Sequence, residues 1–409
     1  MPSARGIVVF GAGVGLWIAA RLLGSPDLHI VAVGVAVLPL LAVVFVRWNR
    51  HRLLVTRRLS ATKVMPGQRV TVELEVENDS PVSTSFVLLE DHVPASLGRP
   101  ARLVLTGLPG RNSQRVGYSM VCRTRGRYSI GPLRLDVSDP FALTRVRLEY
   151  PEKDELVVFP EVEDLPGLPG SRFGSGSGDS ASRHLFRTGQ EFYTMREYEV
   201  GDDLRRIHWP SVARRGKLMI RQDEAARRSL ATVFLDTRVS SFGQSYTAPF
   251  ERAVSAAATL GIHLARGGFS IRLATGNARA RAVTEEGLLE ALASVGHSPS
   301  GPLSALLLTL RTSAVADSTL AVVIPPPPPP EVASLTRVGA AFGPKVAVIV
   351  YPTEPATLPP DRRALLEGQA TTGRLSLARA GWDVFVIGPQ GRLIDVWHAN
   401  RKKLPAGTV

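Results

Sequence analysis

The sequence holds one cysteine, few aromatic residues and fewer acids than bases, and each shortage closes off a class of function. A lone cysteine, Cys122, permits no intramolecular disulfide and suits a reducing compartment. No His–Cys arrangement is evident, so Cys122 reads as a small apolar filler on a strand. Aromatic residues make up 6% of the chain, with no stacking array of the kind a single-strand RNA-binding sheet needs. That absence argues against nucleic acid as a partner, although 49 Lys and Arg against 36 Asp and Glu leave a net charge of +13. The arginines are scattered through every region rather than gathered in one motif. A phosphate loop, a metal quartet and an activated nucleophile are missing too, so neither an enzyme nor a small-molecule substrate is expected.

One apparent exception fails on inspection. Residues 7–15 carry Gly11, Gly13 and Gly15 after an apolar run, like a dinucleotide-binding turn. The third glycine of that fingerprint falls on Leu16, and no acid follows in a strand–helix–strand setting. Gly11 and Gly15 read instead as a small-xxx-small face for packing one membrane helix on another.

What the chain has in plenty is apolar length. Hydrophobic residues make up 44% of it, and the excess sits at the N-terminus. Residues 6–23 and 28–46 are two apolar stretches of about 18 residues, roughly the length that crosses a hydrocarbon core. The turn Gly24-Ser25-Pro26-Asp27 joins them into a hairpin. Arg47, Arg50, Arg52, Arg57 and Arg58 follow the second stretch, while the connecting loop holds only Asp27 and His29, with Arg21 at its edge. By the positive-inside rule both termini, and with them the large C-terminal region, lie in the cytoplasm. The expectation is a cell-membrane protein with two spans whose first partner is the lipid bilayer, the arginines nearest the membrane attracting anionic head groups. A cleaved signal peptide over 1–23 is disfavoured: Arg5 is the only side-chain charge ahead of the stretch, and Arg21 ends it.

Beyond the hairpin (1–52), residues 53–160 read as a small β-sandwich. Residues 69–78 alternate apolar and polar side chains as a half-buried strand does, and further strands are expected at 84–90, 101–105, 115–123 and 128–137. Turn chemistry at Pro66-Gly67, Asn78–Pro81, Pro109-Gly110 and Gly126 separates them. Residues 161–188 form a connection rich in Gly, Ser and Pro. From 229 to 409 strands and helices alternate. Strands are expected at 230–236, 270–274, 319–324, 345–350 and 382–387, and helices at 247–267, 284–296, 331–342 and 361–380. That order predicts an α/β fold around a mostly parallel sheet with right-handed crossovers. The run Pro325–Pro330 reads as a stiff exit from a strand.

Between these regions, residues 189–228 pack acids, arginines and aromatics more densely than a plain solvated face needs. Glu191, Arg196, Glu197, Tyr198, Gly201, Asp202, Asp203, Arg205, Arg206, Trp209 and Arg214 carry the pattern. With Tyr128–Pro132 and Ser138–Phe141, this signature resembles the DUF58 family. The resemblance implies a membrane-anchored protein with a von Willebrand A-like (Rossmann-like) domain that works with a MoxR-type AAA+ ATPase in assembling or remodelling a complex.

Two roles are open for the signature: an internally paired network that welds the sandwich to the α/β domain, or a docking surface of arginines and acids. In either case Asp202 or Asp203 is expected to cap a short helix at 204–209. A hydrolase built on Asp202, Asp203 and His208 is a further alternative, though their spacing matches no metal motif. The remaining candidate is Asp236-Thr237-Arg238-Val239-Ser240 at the end of a strand. Metal-binding von Willebrand A domains place Asp-x-Ser-x-Ser there for Mg²⁺. Asp236 and Ser240 match, but Arg238 stands at the middle ligand, where its fixed charge opposes a cation. Thr312 and Asp317 are looser downstream candidates. The outcomes are a Mg²⁺-dependent protein-binding module or a metal-free surface in which Arg238 pairs with an acid such as Asp236.

Overall fold

The computed structural model describes residues 3–49, 53–84, 86–139, 141–166, 193–198, 207–223, 230–242, 247–276, 278–299, 301–312, 314–315 and 317–402. The chain divides into two compact units, Met1–Pro160 and Glu161–Val409.

The first unit opens with two helices, α1 (Ala4–Leu23) and α2 (Pro26–Asn49). Each is long and apolar enough to cross a membrane, over Ala4–Leu23 and Pro26–Phe45. Ser3 caps α1 by accepting a hydrogen bond from the Gly6 amide at 3.1 Å, and Gly24 closes it in the left-handed conformation. Gly11 and Gly15 do not form the helix–helix contact, for no atom lies within 4 Å of a Cβ built on either. The contact belongs to Gly13, whose Cβ would stand 2.6 Å from the Ala36 nitrogen. Gly6, Gly13 and Ala20 are the buried positions of α1. Their seven-residue spacing holds one stripe along the helix, whereas a four-residue step drifts off it.

Ten short strands follow: β1 (Leu53–Leu59), β2 (Lys63–Val64), β3 (Arg69–Asn78), β4 (Phe86–Asp91), β5 (Ala101–Thr106), β6 (Asn112–Val121), β7 (Gly126–Ile130), β8 (Leu133–Ser138), β9 (Arg145–Tyr150) and β10 (Asp154–Val158). They form sheets ordered β1-β3-β6, β2-β10-β7 and β5-β4-β8-β9, which share one core. Val70, Val72, Leu74 and Val76 of β3 point inward at full burial, and Val87 and Leu89 of β4 join them. The strand expected over 128–137 is two strands, broken at Gly131-Pro132 where proline offers no N–H. Arg57, counted among the juxtamembrane arginines, is not free for lipid. It forks onto Asp91 at 2.7 and 3.1 Å and reaches Asp154 at 3.0 Å, and Tyr118 donates to the same Asp91 at 2.7 Å.

The second unit contains a two-stranded antiparallel ribbon, β11 (Tyr193–Glu197) with β12 (Met219–Asp223), around a short helix α3 (Trp209–Arg215). Its larger part is a six-stranded sheet of β13 (Leu230–Leu235), β14 (Ser270–Thr275), β15 (Ala278–Val283), β16 (Thr319–Ile324), β17 (Lys345–Val350) and β18 (Asp383–Ile387). The order is β15-β14-β13-β16-β17-β18, parallel except for β15. β15 was not expected: only two residues separate it from β14, too few for a crossover, so it returns antiparallel.

The intervening helices are α4 (Val239–Phe242), α5 (Ala248–Arg266), α6 (Glu285–Ser294), α7 (Leu303–Thr312), α8 (Pro329–Gly339), α9 (Pro360–Arg379) and α10 (Leu393–Lys402). Helices α7, α8 and α9 cover one face, sharing a core with Leu320, Val322, Ile324 and Ile349. On the other face α10 stacks Trp397 on Phe385, with ring centroids 4.6 Å apart, and Trp397 also meets His263 of α5. The proline run is partly buried. Pro327 lies against Gly373 of α9, and Pro329 and Pro330 open α8, where a missing N–H costs nothing.

Candidate functional site

Two places collect the residues that the sequence singles out. The first is the ribbon. Within the described signature, Arg196 pairs with Ile220 across the ribbon, and the Tyr198 amide donates to the Leu218 carbonyl at 2.9 Å. Glu197 accepts from Lys217 at 2.8 Å, an exposed pair of small energetic weight. The described helix begins at Trp209; of the helix expected over 204–209, residues 204–206 lie outside the described residues and Ile207 and His208 are not helical. Ile207 bridges Ile220 in extended form, and Pro210 at the first helical turn fixes the start. His208 occupies the cap position, and its Nδ1 lies 2.9 Å from the Ser211 hydroxyl. Glu191, Gly201, Asp202, Asp203, Arg205 and Arg206 lie outside the described residues, so the capping and hydrolase expectations do too.

The described face of α3 turns outward. Trp209 is 66% exposed, and Arg214 and Arg215 in the last turn are exposed as well. Among the described residues neither arginine has an acidic partner. Gly216 then ends the helix in the left-handed conformation.

The second place is the carboxyl edge of β13. The chain runs from β13 to β14 on one side and later returns to β16 on the other, so the strand order reverses between β13 and β16. In open α/β sheets the ligand crevice forms at such a switch point. Asp236 stands there with its amide on the Val323 carbonyl and no exposed surface. Its carboxylate is fully engaged by protein. Arg238 donates from Nε at 3.0 and 3.2 Å and from Nη2 at 2.7 Å, and the Ser241 hydroxyl donates at 2.7 Å. Arg238 also reaches Glu331 in the first turn of α8 at 2.8 Å and the Gly301 carbonyl at 3.3 Å. Burial alone would lower the Arg238 pKa, but its hydrogen bonds to Asp236 and Glu331 outweigh that and raise it.

This donor set does not fit a divalent cation. A guanidinium with a permanent charge already holds both Asp236 oxygens. Ser240, the expected partner hydroxyl, is exposed, and Ser241 makes the contact instead. Thr312 and Asp317 precede β16, at the amino edge of the sheet. Six strand residues, about 20 Å, separate that edge from Asp236. Among the described residues no group of three or more His, Cys, Asp or Glu side chains is placed to hold a metal. Serine at 241 was one residue beyond the expected motif. Glu331 lies 93 residues from Arg238, so nothing local signals it.

Thr237 seals the neighbouring strand end. Its hydroxyl accepts from the Gly276 amide at 3.1 Å and lies 3.0 Å from the Ser298 hydroxyl. A Cβ at Gly276 would meet Ser298 Oγ at 2.5 Å and Thr237 Oγ1 at 2.7 Å, so the close approach requires glycine.

The Bacillus subtilis (strain 168) protein YeaD, itself uncharacterized, is 23% identical over 212 residues. The match covers 50% of this chain and 51% of YeaD, so it spans about half the length of that relative. Likeness to solved structures is slight. The CARDB domain of a Pyrococcus furiosus protein, crystallised with di-metal ions, is 11% identical at a TM-score of 0.21, covering 26% of this chain and 91% of that one. A human seminal-plasma complex of zinc 2-glycoprotein and prolactin inducible protein is 14% identical at the same TM-score of 0.21, covering 26% and 93%. At such scores the likeness carries nothing about fold or function. Residues 194–294, from the signature ribbon through α6, match the family described as "Protein of unknown function DUF58".

Proposed function

We propose that this chain is a membrane-anchored scaffold or adaptor that presents the face of α3 to another protein. The observation that carries the reading is Trp209, 66% exposed on a helix whose last turn offers Arg214 and Arg215 to solvent. A network that only welded two domains would turn its tryptophan inward. Trp and Arg are also the residues that most often dominate protein interfaces. The DUF58 resemblance suggests the partner, a MoxR-type AAA+ ATPase, and the anchor suggests that assembly or remodelling takes place at the cytoplasmic surface of the cell membrane.

The α/β part fits a von Willebrand A-like binding domain. Numbered within that sheet, its strands run 3-2-1-4-5-6 with the third antiparallel, and its switch point holds Asp236. In this reading the domain binds without metal, because Arg238 supplies the positive charge at that edge.

The test is affinity purification from gently solubilised membranes, comparing wild type with Trp209→Ala and with Arg214→Glu/Arg215→Glu. An AAA+ ATPase recovered with the wild type and lost with both folded variants supports the proposal. Purification of the bait alone, or equal recovery with all three, rejects it.

A further inference from the structure

The loop between β8 and β9 is tied to the first helix at the level where the apolar stretch begins. The Ser3 amide donates to the Leu143 carbonyl at 2.8 Å, and the Ser3 hydroxyl donates to the Ala142 carbonyl at 2.7 Å. Gly6 lies so close that a Cβ there would collide with the Leu143 carbonyl oxygen. The loop holds its own shape. Buried Asp139 accepts from the Phe141 amide at 2.8 Å and from the Thr144 amide, and Ala142 takes a left-handed φ of 55°. Phe141 is therefore fixed rather than frayed, yet it is 64% exposed.

Ile7, Val8 and Phe10 are also exposed on α1, and Ile7 is one helical turn, about 6 Å, from the Ser3 cap. An exposed apolar ring held at the end of an apolar span lies at the depth of the head-group and acyl-chain boundary, where interfacial Phe, Trp and Leu side chains insert. Exposed Arg5 adds a positive charge at that level, which favours anionic head groups.

We propose that Phe141–Thr144, held by Asp139, is a membrane-interface foot, in which Phe141 enters the head-group boundary of the bilayer and fixes the β-sandwich against it. The inference rests on the reading that α1 and α2 span the bilayer, and its test separates the two. Single nitroxide labels are placed on Phe141→Cys, Val33→Cys and Val104→Cys in the full chain, reconstituted in phosphatidylcholine–phosphatidylglycerol vesicles. Wild type, whose one cysteine is buried, is the labelling blank.

Val33 is exposed on α2, and Val104 is exposed on β5, three strands and about 14 Å across the sheet from β9. The expected result is that oxygen relaxes the label at 141 several-fold more, relative to a water-soluble nickel chelate, than at 104, and less than at 33. Chelate access at 141 equal to that at 104, with 33 still lipid-shielded, overturns the foot and leaves the anchor standing. Chelate access at 33 as well overturns both. In Gly6→Ala the added Cβ is expected to push the loop off the helix and to raise chelate access at 141 while leaving 33 unchanged. An unaltered label at 141 would reject the tie.

Discussion

Arg238 carries a permanent charge into a nearly closed site, where its side chain is 8% exposed beside an Asp236 side chain of 0%. Removing one partner of such a pair leaves the other buried and uncompensated. Arg238→Met is therefore expected to cost about 3–5 kcal/mol in denaturant unfolding, and Arg238→Lys nearly as much because lysine cannot reproduce the two-pronged contact. A loss under 1 kcal/mol would show that Asp236 finds other partners. For the same reason Mg²⁺ and chelator are both expected to leave the wild-type melting temperature unchanged, and a chelator-sensitive melt would restore the metal-dependent reading.

A second residue sets a pH response. Burial holds the His263 pKa below its ordinary value of 6.5, and its enclosed Nε2 has no hydrogen-bond partner among the described residues. The unfolded chain then binds a proton that the folded chain refuses, so stability rises with pH across that interval. His263 is expected to contribute its full stability above about pH 6.5. The contribution falls away as pH drops through the lower folded value, and His263→Leu is expected to flatten that part of the melting-temperature profile. A slope that survives the substitution would assign it to another group.

At the scale of elements, Glu163 does the work of a staple. Its backbone amide donates to Thr259 of α5 at 3.0 Å, and one carboxylate oxygen lies 3.2 Å from Arg252 of the same helix. The other oxygen accepts from the Ile394 amide at 2.8 Å, capping α10 from 231 residues away. Glu163→Gln keeps the shape but removes the charge. Hydrogen exchange at the Ile394 amide is expected to accelerate about tenfold or more, with about 1–3 kcal/mol lost from the charged hydrogen bond. Exchange unchanged at that amide would mean that α10 holds its own terminus.

Such links were illegible in the sequence because they join positions far apart in the chain. The elements themselves were not. The strands at 319–324 and 345–350 lie where buried runs of Val, Ile and Ala place them, and the alternation of 69–78 matches β3. Helices α7 and α10 were missed, since ten residues span fewer than three turns and leave a helical period little room to show. Helix α3 beyond Trp209 was not expected, because the Asp202-Asp203 pair drew the expected helix upstream of Pro210.

For the whole molecule, the proposed anchoring and docking rest on two features, the hairpin and the face of α3. Arg47, Arg50 and Arg52 follow the second span. A reporter fused after residue 409 is accordingly expected to be active only in the cytoplasm. Activity confined to the other side would reverse the orientation and remove a cytoplasmic ATPase from consideration. The two helices also pack on each other at Gly13, where an added Cβ would stand 2.6 Å from the Ala36 nitrogen. Gly13→Leu is expected to separate the helices without shortening either apolar span, so extraction should still require detergent while the unit melts earlier.

The sequence by itself determined the two apolar spans, the β-rich first region, the alternating α/β region and the DUF58-like signature. Each of these rests on periodicity, run length or local motif, which a linear reading captures. Only the tertiary structure decided how Asp236 is used, which glycine joins the spans, and that Trp209 faces outward. The first two of those outcomes depend on which distant groups lie against the site: Glu331 beside Arg238 across the strand switch, and Ala36 against Gly13 across the hairpin. Burial and charge pairing act through space, so they are settled only once the chain has folded.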